Sequence, residues 1–319
     1  MLMLSPQSSQ ADLTWSIERY SFFHDTLHIC GFVFSHNSRV VSLSLSLGDH
    51  ELIPLARFGL PSPDVTRLHG RHAATCRFDQ ILQLGPASAA VFAASLSVTL
   101  ADGRTETVPI APSDPSDPSS GIMDRFFAQL AQRPAGDLLE VGSRARTGAT
   151  YTSRLPAGWR YTGFDIMEGP NVDIVGDAHR MSQFLPRNSY DAVMSFAVFE
   201  HLLVPWKAVI EMNRVLRIGA VGLVLAPQTW PLHEEPCDYF RFSKHAWKAL
   251  FNRLTGFEIV EAVHGATAYV VPRFLTPGSN FGEVHTAAMM ASVMFRKVAE
   301  TALDWPVDAA DIAGDVYPL

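Results

Sequence analysis

The hydrophobic pattern changes period once along this chain, across residues 111–121, and that change limits the fold more than any other feature. The segment carries three prolines, four serines and no apolar periodicity, so nothing in it can join a core and it reads as a linker. With 319 residues the chain exceeds the usual size of one hydrophobic core, which fits a division at this point.

Before the linker the period is two. Val41, Leu43, Leu45 and Leu47 alternate with serines, and Leu27, Ile29, Gly31 and Val33 give a second alternation. Leu96, Val98 and Leu100 give a third, with Asp102 and Gly103 as a hairpin turn into 105–110. Several short strands with turn signals predict a small all-β, sandwich-like domain over 1–110, with Trp15, Phe22, Phe32 and Phe34 in its core. After the linker the class becomes α/β. A helix through Met123, Phe126, Phe127 and Leu130 precedes the apolar run 138–141, and strands then alternate with helices, the order of a parallel sheet with crossover helices.

The chemistry sits at the ends of these strands. The strand 138–141 runs into Gly142, where a missing Cβ lets the backbone approach a ligand before an expected helix. The next strand, 161–164, ends in Asp165, an acid placed to accept hydrogen bonds from both hydroxyls of a ribose. A third strand ends in Asp177, which can accept from an adenine amino group. A fourth, 190–196, leads into Phe199, Glu200 and His201 and a helix with Val209, Met212 and Leu216 inward. Gly219 is expected to cap that helix in the left-handed region, ahead of a fifth strand over 221–226.

Glu140-Val141-Gly142, Asp165, Gly176-Asp177-Ala178, Tyr190-Asp191, Phe199-Glu200-His201 and Val215 to Gly219, taken in order, resemble the class I S-adenosylmethionine-dependent methyltransferases of the type-11 group. The resemblance covers about residues 121–265. It implies a Rossmann-like, seven-stranded methyltransferase domain with the last strand antiparallel, and S-adenosylmethionine as cofactor. Glu140, Gly142 and Ser143 fall on the cofactor loop, Asp165 and Ile166 on the ribose side, Asp177 and Ala178 on the adenine side, and Ser195 at the end of the fourth strand. One departure stands out: Ser143, Arg144, Ala145 and Arg146 replace the inner glycines of the usual loop. Arg144 or Arg146 can pair with the methionyl carboxylate or pack outside. The same departure argues against a nicotinamide dehydrogenase, because G-x-G-x-x-G is absent.

Residues 228–243 are dense in functional side chains and follow the fifth strand, where open α/β folds place substrates. Similar segments occur in type-11 enzymes devoted to surface-glycan or small-molecule substrates, so this is the expected acceptor site. Trp230, Asp238, Tyr239 and Arg241 are its candidate substrate contacts. A hydroxyl acceptor must lose its proton during attack on a methyl group, and His233, His201 and Glu234 are the candidate catalytic residues. For His201 the alternative is packing at a helix start, and for Arg241 it is fixing the loop through Asp238. A metal site is not expected: prolines interrupt the segment, and a second histidine at ligand spacing is missing.

The remaining expectations concern class and partners. A net charge of -7 disfavours a phosphate-neutralising nucleic-acid binder, as does Ser195-Phe196-Ala197-Val198 where amino-methylating enzymes carry Asn/Asp-Pro-Pro-aromatic. Three scattered cysteines fit a reducing cytoplasm, and no apolar run is long enough for a membrane span. Past residue 275 a C-terminal helical extension is expected, with a helix over about 284–303. Its stripe of Met290, Val293, Met294 and Val298 reads as a packing face or a homodimer interface. The fold class is therefore an α/β methyltransferase domain over 122–275 behind a β domain. The activity that the resemblance leads one to expect is O-methylation of a sugar, surface-glycan or other small acceptor, as in polysaccharide biosynthesis. The alternatives are a catalytically silent cofactor-binding scaffold and a glycan-binding protein.

Overall fold

The computed structural model describes residues 12–23, 25–48, 52–84, 93–110, 117–270 and 286–314. The chain divides into two compact units, Met1–Pro115 and Ser116–Leu319. The linker residues 111–116 and the segment 271–285 lie outside the described residues.

The first unit is built of antiparallel strands. Strands β1 (Leu13–Phe23), β2 (Thr26–Ser35), β5 (Phe58–Leu60) and β6 (Arg77–Gln83) form one sheet in the order β1-β2-β6-β5. Strands β3 (Val40–Leu47), β4 (Ile53–Pro54), β7 (Ala94–Leu100) and β8 (Thr105–Pro109) form a second, in the order β4-β3-β7-β8. Alternate residues of both meet in one core, where Trp15, Leu27 and Ile29 pack with Leu43, Leu45, Leu96 and Val98, so the two sheets face each other as a sandwich. The β7–β8 hairpin turns at Gly103, whose φ of +87° is one that glycine tolerates. Phe32 and Phe34 are buried on the other face of their sheet, with Val65, Ala73 and Cys76, and Phe22 is half-buried beside the main core. Val41 departs from its expected inward place. The register shifts between Val40 and Ser42, which turns Val41 outward to 45% exposure.

The second unit holds the site. Strands β9 (Gly136–Val141), β10 (Trp159–Asp165), β11 (Ile174–Val175), β12 (Tyr190–Phe196), β13 (Leu216–Pro227), β14 (Phe257–Ala268) and β15 (Ala287–Lys297) form a seven-stranded sheet ordered β11-β10-β9-β12-β13-β15-β14. The first five are parallel, and β15 runs antiparallel to both β13 and β14, as the resemblance implies. From β9 the chain moves outward to β11, then returns to place β12 on the other side of β9. That reversal opens a crevice beyond the carboxyl ends of β9 and β12.

Both faces of the sheet are covered. Ile122, Phe126, Phe127 and Leu130, one stripe of the helix Pro118–Leu130, pack on Leu138, Ala192 and Met194. On the other face Ala208, Val209, Met212 and Val215 of the helix Pro205–Val215 pack on Leu139, Val193 and Val224. Burying each large aliphatic side chain in this way contributes about 1.5–3 kcal/mol.

Four expectations are corrected. The segment over 284–303 contains a strand, Ala287–Lys297, in place of a helix. An interior strand with both faces covered is apolar throughout, so the pattern mimics a helical stripe. Val293 and Phe295 enter one core while Met294 enters the other, so these residues offer no helical dimer stripe. The C-terminal part of the chain thus completes the sheet, and its one helix among the described residues is the short Ala309–Ala313. The linker is shorter than expected, because Asp117 accepts the Ser119 N–H at 3.0 Å and caps a helix starting at Pro118. After Gly142 the expected helix is reduced to a 3₁₀ turn, Thr152–Arg154. Gly219 does take φ +82°, but inside β13, since the preceding helix ends at Val215. Among the described residues no helix is long and apolar enough to cross a membrane.

Candidate functional site

A cavity of about 530 Å³ lies at the crevice, inside the roughly 300–1,000 Å³ range of small-molecule sites. Glu140, Gly142, Ser143, Asp165, Ile166, Asp177 and Ala178 line it. Ser195 does not: it is fully buried within β12.

Local geometry explains why these residues reach the cavity. Gly142 turns the chain out of β9 with φ +80°, and a Cβ there would sit 2.0 Å from Val198 Cγ2. The Gly142 and Ser143 N–H groups both donate to the Phe164 carbonyl, at 2.8 and 3.2 Å, which ties the loop to β10. Glu140 accepts from the Tyr161 hydroxyl at 2.5 Å, and burial pushes its carboxyl up. Asp165 accepts the Arg144 N–H at 3.1 Å on one oxygen and the Met167 N–H at 3.0 Å on the other. Each oxygen keeps a second lone pair for a ligand. Asp177 caps the turn Ala178–Arg180 by accepting the His179 N–H at 2.9 Å, and the same oxygen lies 2.7 Å from His179 Nδ1. Burial pushes the Asp177 carboxyl up, but the contacts to His179 outweigh it and hold the group below its usual range.

The arginines of the departing loop do not point alike. Arg144 lies against Gly169, with Nη1 3.1 Å from the Met167 sulfur. Arg146 forms an ion pair with Glu234 of the loop after β13, and both line the cavity.

The loop after β13 is held by one fork. Arg241 donates to both carboxylate oxygens of Asp238, each at 2.6 Å, and to the carbonyls of Trp230 and Pro231 at 3.0 and 2.9 Å. Asp238 has no exposed side chain, and Arg241 holds its carboxyl down at about 2. Asp238 also accepts the His233 N–H at 2.9 Å, so the pair positions His233. Trp230, Asp238, Tyr239 and Arg241 therefore shape the loop and do not line the cavity, whereas His233, Glu234 and His201 do. Trp230 is 46% exposed, and Tyr239 N–H donates to the Glu200 carbonyl at 2.8 Å.

Glu200 is the residue that sequence reasoning passed over, although it stands inside the quoted Phe199-Glu200-His201 motif. The 3₁₀ turn Phe199–His201 at the end of β12 buries it completely. Neither carboxylate oxygen has a hydrogen-bond partner, and burial pushes the carboxyl up to about 7. His201 Nε2 and His233 Nε2 lie 3.8 and 3.9 Å from Glu200 Oε1, and the two imidazoles meet edge to face at 4.8 Å. Cys237 and Glu235, also in the loop after β13, do not line the cavity.

The cavity suits a nucleoside with a charged tail. It offers two strand-end carboxylates, a glycine cradle with no room for a Cβ, and the buried Ser143 hydroxyl, which lacks a partner. Comparison with known proteins places this geometry. Residues 139–224 match the family model of a methyltransferase domain. No curated protein matches the chain. Among solved structures, a SAM dependent methyltransferase from Archaeoglobus fulgidus is similar at 14% identity and TM-score 0.42, over 56% of this chain and 93% of its own. Another, from Aquifex aeolicus, is similar at 15% identity and TM-score 0.39, over 58% and 95%. The methyltransferase reading stands on the family match and on the cavity. Residues 139–224 thus match a methyltransferase domain in sequence, and S-adenosylmethionine is the cofactor that this match implies.

Proposed function

We propose that this chain transfers a methyl group to a hydroxyl oxygen of a sugar, surface glycan or other small molecule. The observation that carries the reading is one cavity with two chemistries: Asp165 and Asp177, carboxylates suited to a nucleoside, line it together with His201, His233 and Glu234. Bound S-adenosylmethionine supplies a methyl group activated on a sulfonium. Asp165 and Ile166 hold the ribose side, Asp177 and Ala178 the adenine side, and Gly142 and Ser143 the amino-acid tail. His233 faces the acceptor and takes its proton at Nε2, because Nδ1 is turned to Asp238 and to the Pro231 carbonyl, both at 3.2 Å. A general base of this kind contributes about 10²- to 10⁴-fold, and alignment of the reacting atoms supplies much of the rest. We read the β unit as an accessory module joined by a short linker, and three unpaired cysteines suit a cytoplasmic setting.

The test is methyl transfer from labelled S-adenosylmethionine to a panel of sugar and phenolic hydroxyls. Wild type is expected to label at least one acceptor with matching release of S-adenosylhomocysteine. His233→Ala should lower kcat by roughly 10²-fold or more while cofactor binding persists. Cofactor binding without transfer to any acceptor would favour a silent scaffold.

A further inference from the structure

We infer that Glu200, His201 and His233 form a site for one divalent transition-metal ion whose open coordination positions face the cavity. Among the described residues these three are the group of His, Cys, Asp and Glu side chains able to converge on an ion, with one ligand atom from each within 4.8 Å of the others. They come from two chain segments, the turn after β12 and the loop after β13.

Three features mark the cluster as a ligand set and not a hydrogen-bonded triad. First, Glu200 Oε1 is 3.8 and 3.9 Å from the two Nε2 atoms, too long for a shared proton. Ligands of one tetrahedral ion at about 2.0–2.1 Å stand about 3.4 Å apart, so Glu200 is within a few tenths of an ångström of that spacing from each histidine, and a rotation of the two imidazoles would draw the set together from the 4.8 Å it now spans. Second, both imidazoles are oriented from behind. His201 Nδ1 donates to the Cys237 carbonyl at 2.7 Å, and His233 Nδ1 lies 3.2 Å from Asp238. Each Nε2 therefore presents a lone pair toward Glu200, the outer-shell arrangement that metal-binding histidines use. Third, the Glu200 carboxylate is completely buried and has no hydrogen-bond partner, an orphaned acceptor that an ion would satisfy.

Two imidazoles and a carboxylate select zinc, iron, cobalt, nickel or manganese over magnesium or calcium, which demand oxygen ligands throughout. Three protein ligands leave a position open. His201 and His233 both line the cavity, so that position would face an acceptor oxygen and favour its ionised form, the proton leaving to solvent; with the ion bound, His233 Nε2 acts as a ligand in place of the general base it supplies in the ion-free site. This role rests on the methyl-transfer reading; ion binding does not.

The full-length chain, stripped with chelator, is titrated with Co²⁺ followed by visible absorption and with Zn²⁺ by calorimetry. One ion per chain is expected, with Co²⁺ bands displaced by Zn²⁺. Glu200→Gln, which keeps the buried shape, and His233→Ala, on the acceptor loop, should each weaken binding by more than the roughly 10–100-fold that a lost outer-shell partner costs. Cys237→Ser should bind as wild type does. Circular dichroism and S-adenosylhomocysteine binding by Glu200→Gln separate loss of the ion from loss of the fold or of the cofactor site. Absence of binding by the wild type at millimolar ion would overturn the site, as would equal binding by wild type and both variants.

Discussion

Arg146, in the loop after β9, is ion-paired with Glu234, in the loop after β13, and the pair joins the two loops where both line the cavity. Arg146 stands where the methyltransferases that the sequence resembles have glycines, so the departure from their loop has a structural counterpart in the loop after β13. Because Arg146 is 55% exposed on its side chain, the pair is worth at most about 1 kcal/mol to global stability. Arg146→Ala is expected to melt within a few degrees of wild type while weakening S-adenosylhomocysteine several-fold. Thermal melts and binding titrations on the same sample check both halves, and a large drop in melting temperature would contradict the first.

Removing Arg241 has the opposite profile. It leaves the buried Asp238 carboxylate without its fork, and breaking a buried pair costs about 3 kcal/mol or more. Arg241→Ala should therefore lower the denaturant midpoint clearly, and it should also slow turnover by releasing His233.

The same pair sets a pH dependence. Arg241 holds the Asp238 carboxyl at about 2, below its unfolded value of about 3.9. For a depressed carboxyl the stabilisation is fully present above the unfolded value and is lost as pH falls through the folded one. Urea unfolding at pH 5 and at pH 2.5 should show wild type losing more stability than Asp238→Asn over that interval. Equal losses would contradict the assignment.

Gly142→Ala tests the cradle. The new methyl group meets Val198 Cγ2 at 2.0 Å, and φ +80° strains any side chain, the latter by about 1–2 kcal/mol. Both stability and cofactor affinity should fall. Adding Val198→Ala should recover part of the stability, because it removes the clash but not the backbone strain.

Period and order made much of this fold legible. The alternation at Leu43, Leu45 and Leu47 located β3, and the acids Asp165 and Asp177 marked strand ends that meet at one crevice. Val41 escaped because a register shift reverses the side-chain direction without altering composition. The strand Ala287–Lys297 escaped because an interior strand loses its alternation when both faces are covered. Trp230, Tyr239 and Arg241 looked like acceptor contacts since polar and aromatic density in a loop does not say which side chains turn inward. Glu200 was missed for the converse reason: its place beside His233 depends on a loop that begins well after it in sequence.

The central claim is that the crevice beyond the carboxyl ends of β9 and β12, lined also from β10 and β11, holds S-adenosylmethionine. Calorimetric titration of wild type and Asp165→Ala with S-adenosylmethionine and S-adenosylhomocysteine tests it most directly. The account predicts one site of micromolar affinity in wild type, lost in the folded variant. A well-folded wild type that binds neither molecule, or a variant that binds both as tightly as wild type, would contradict it.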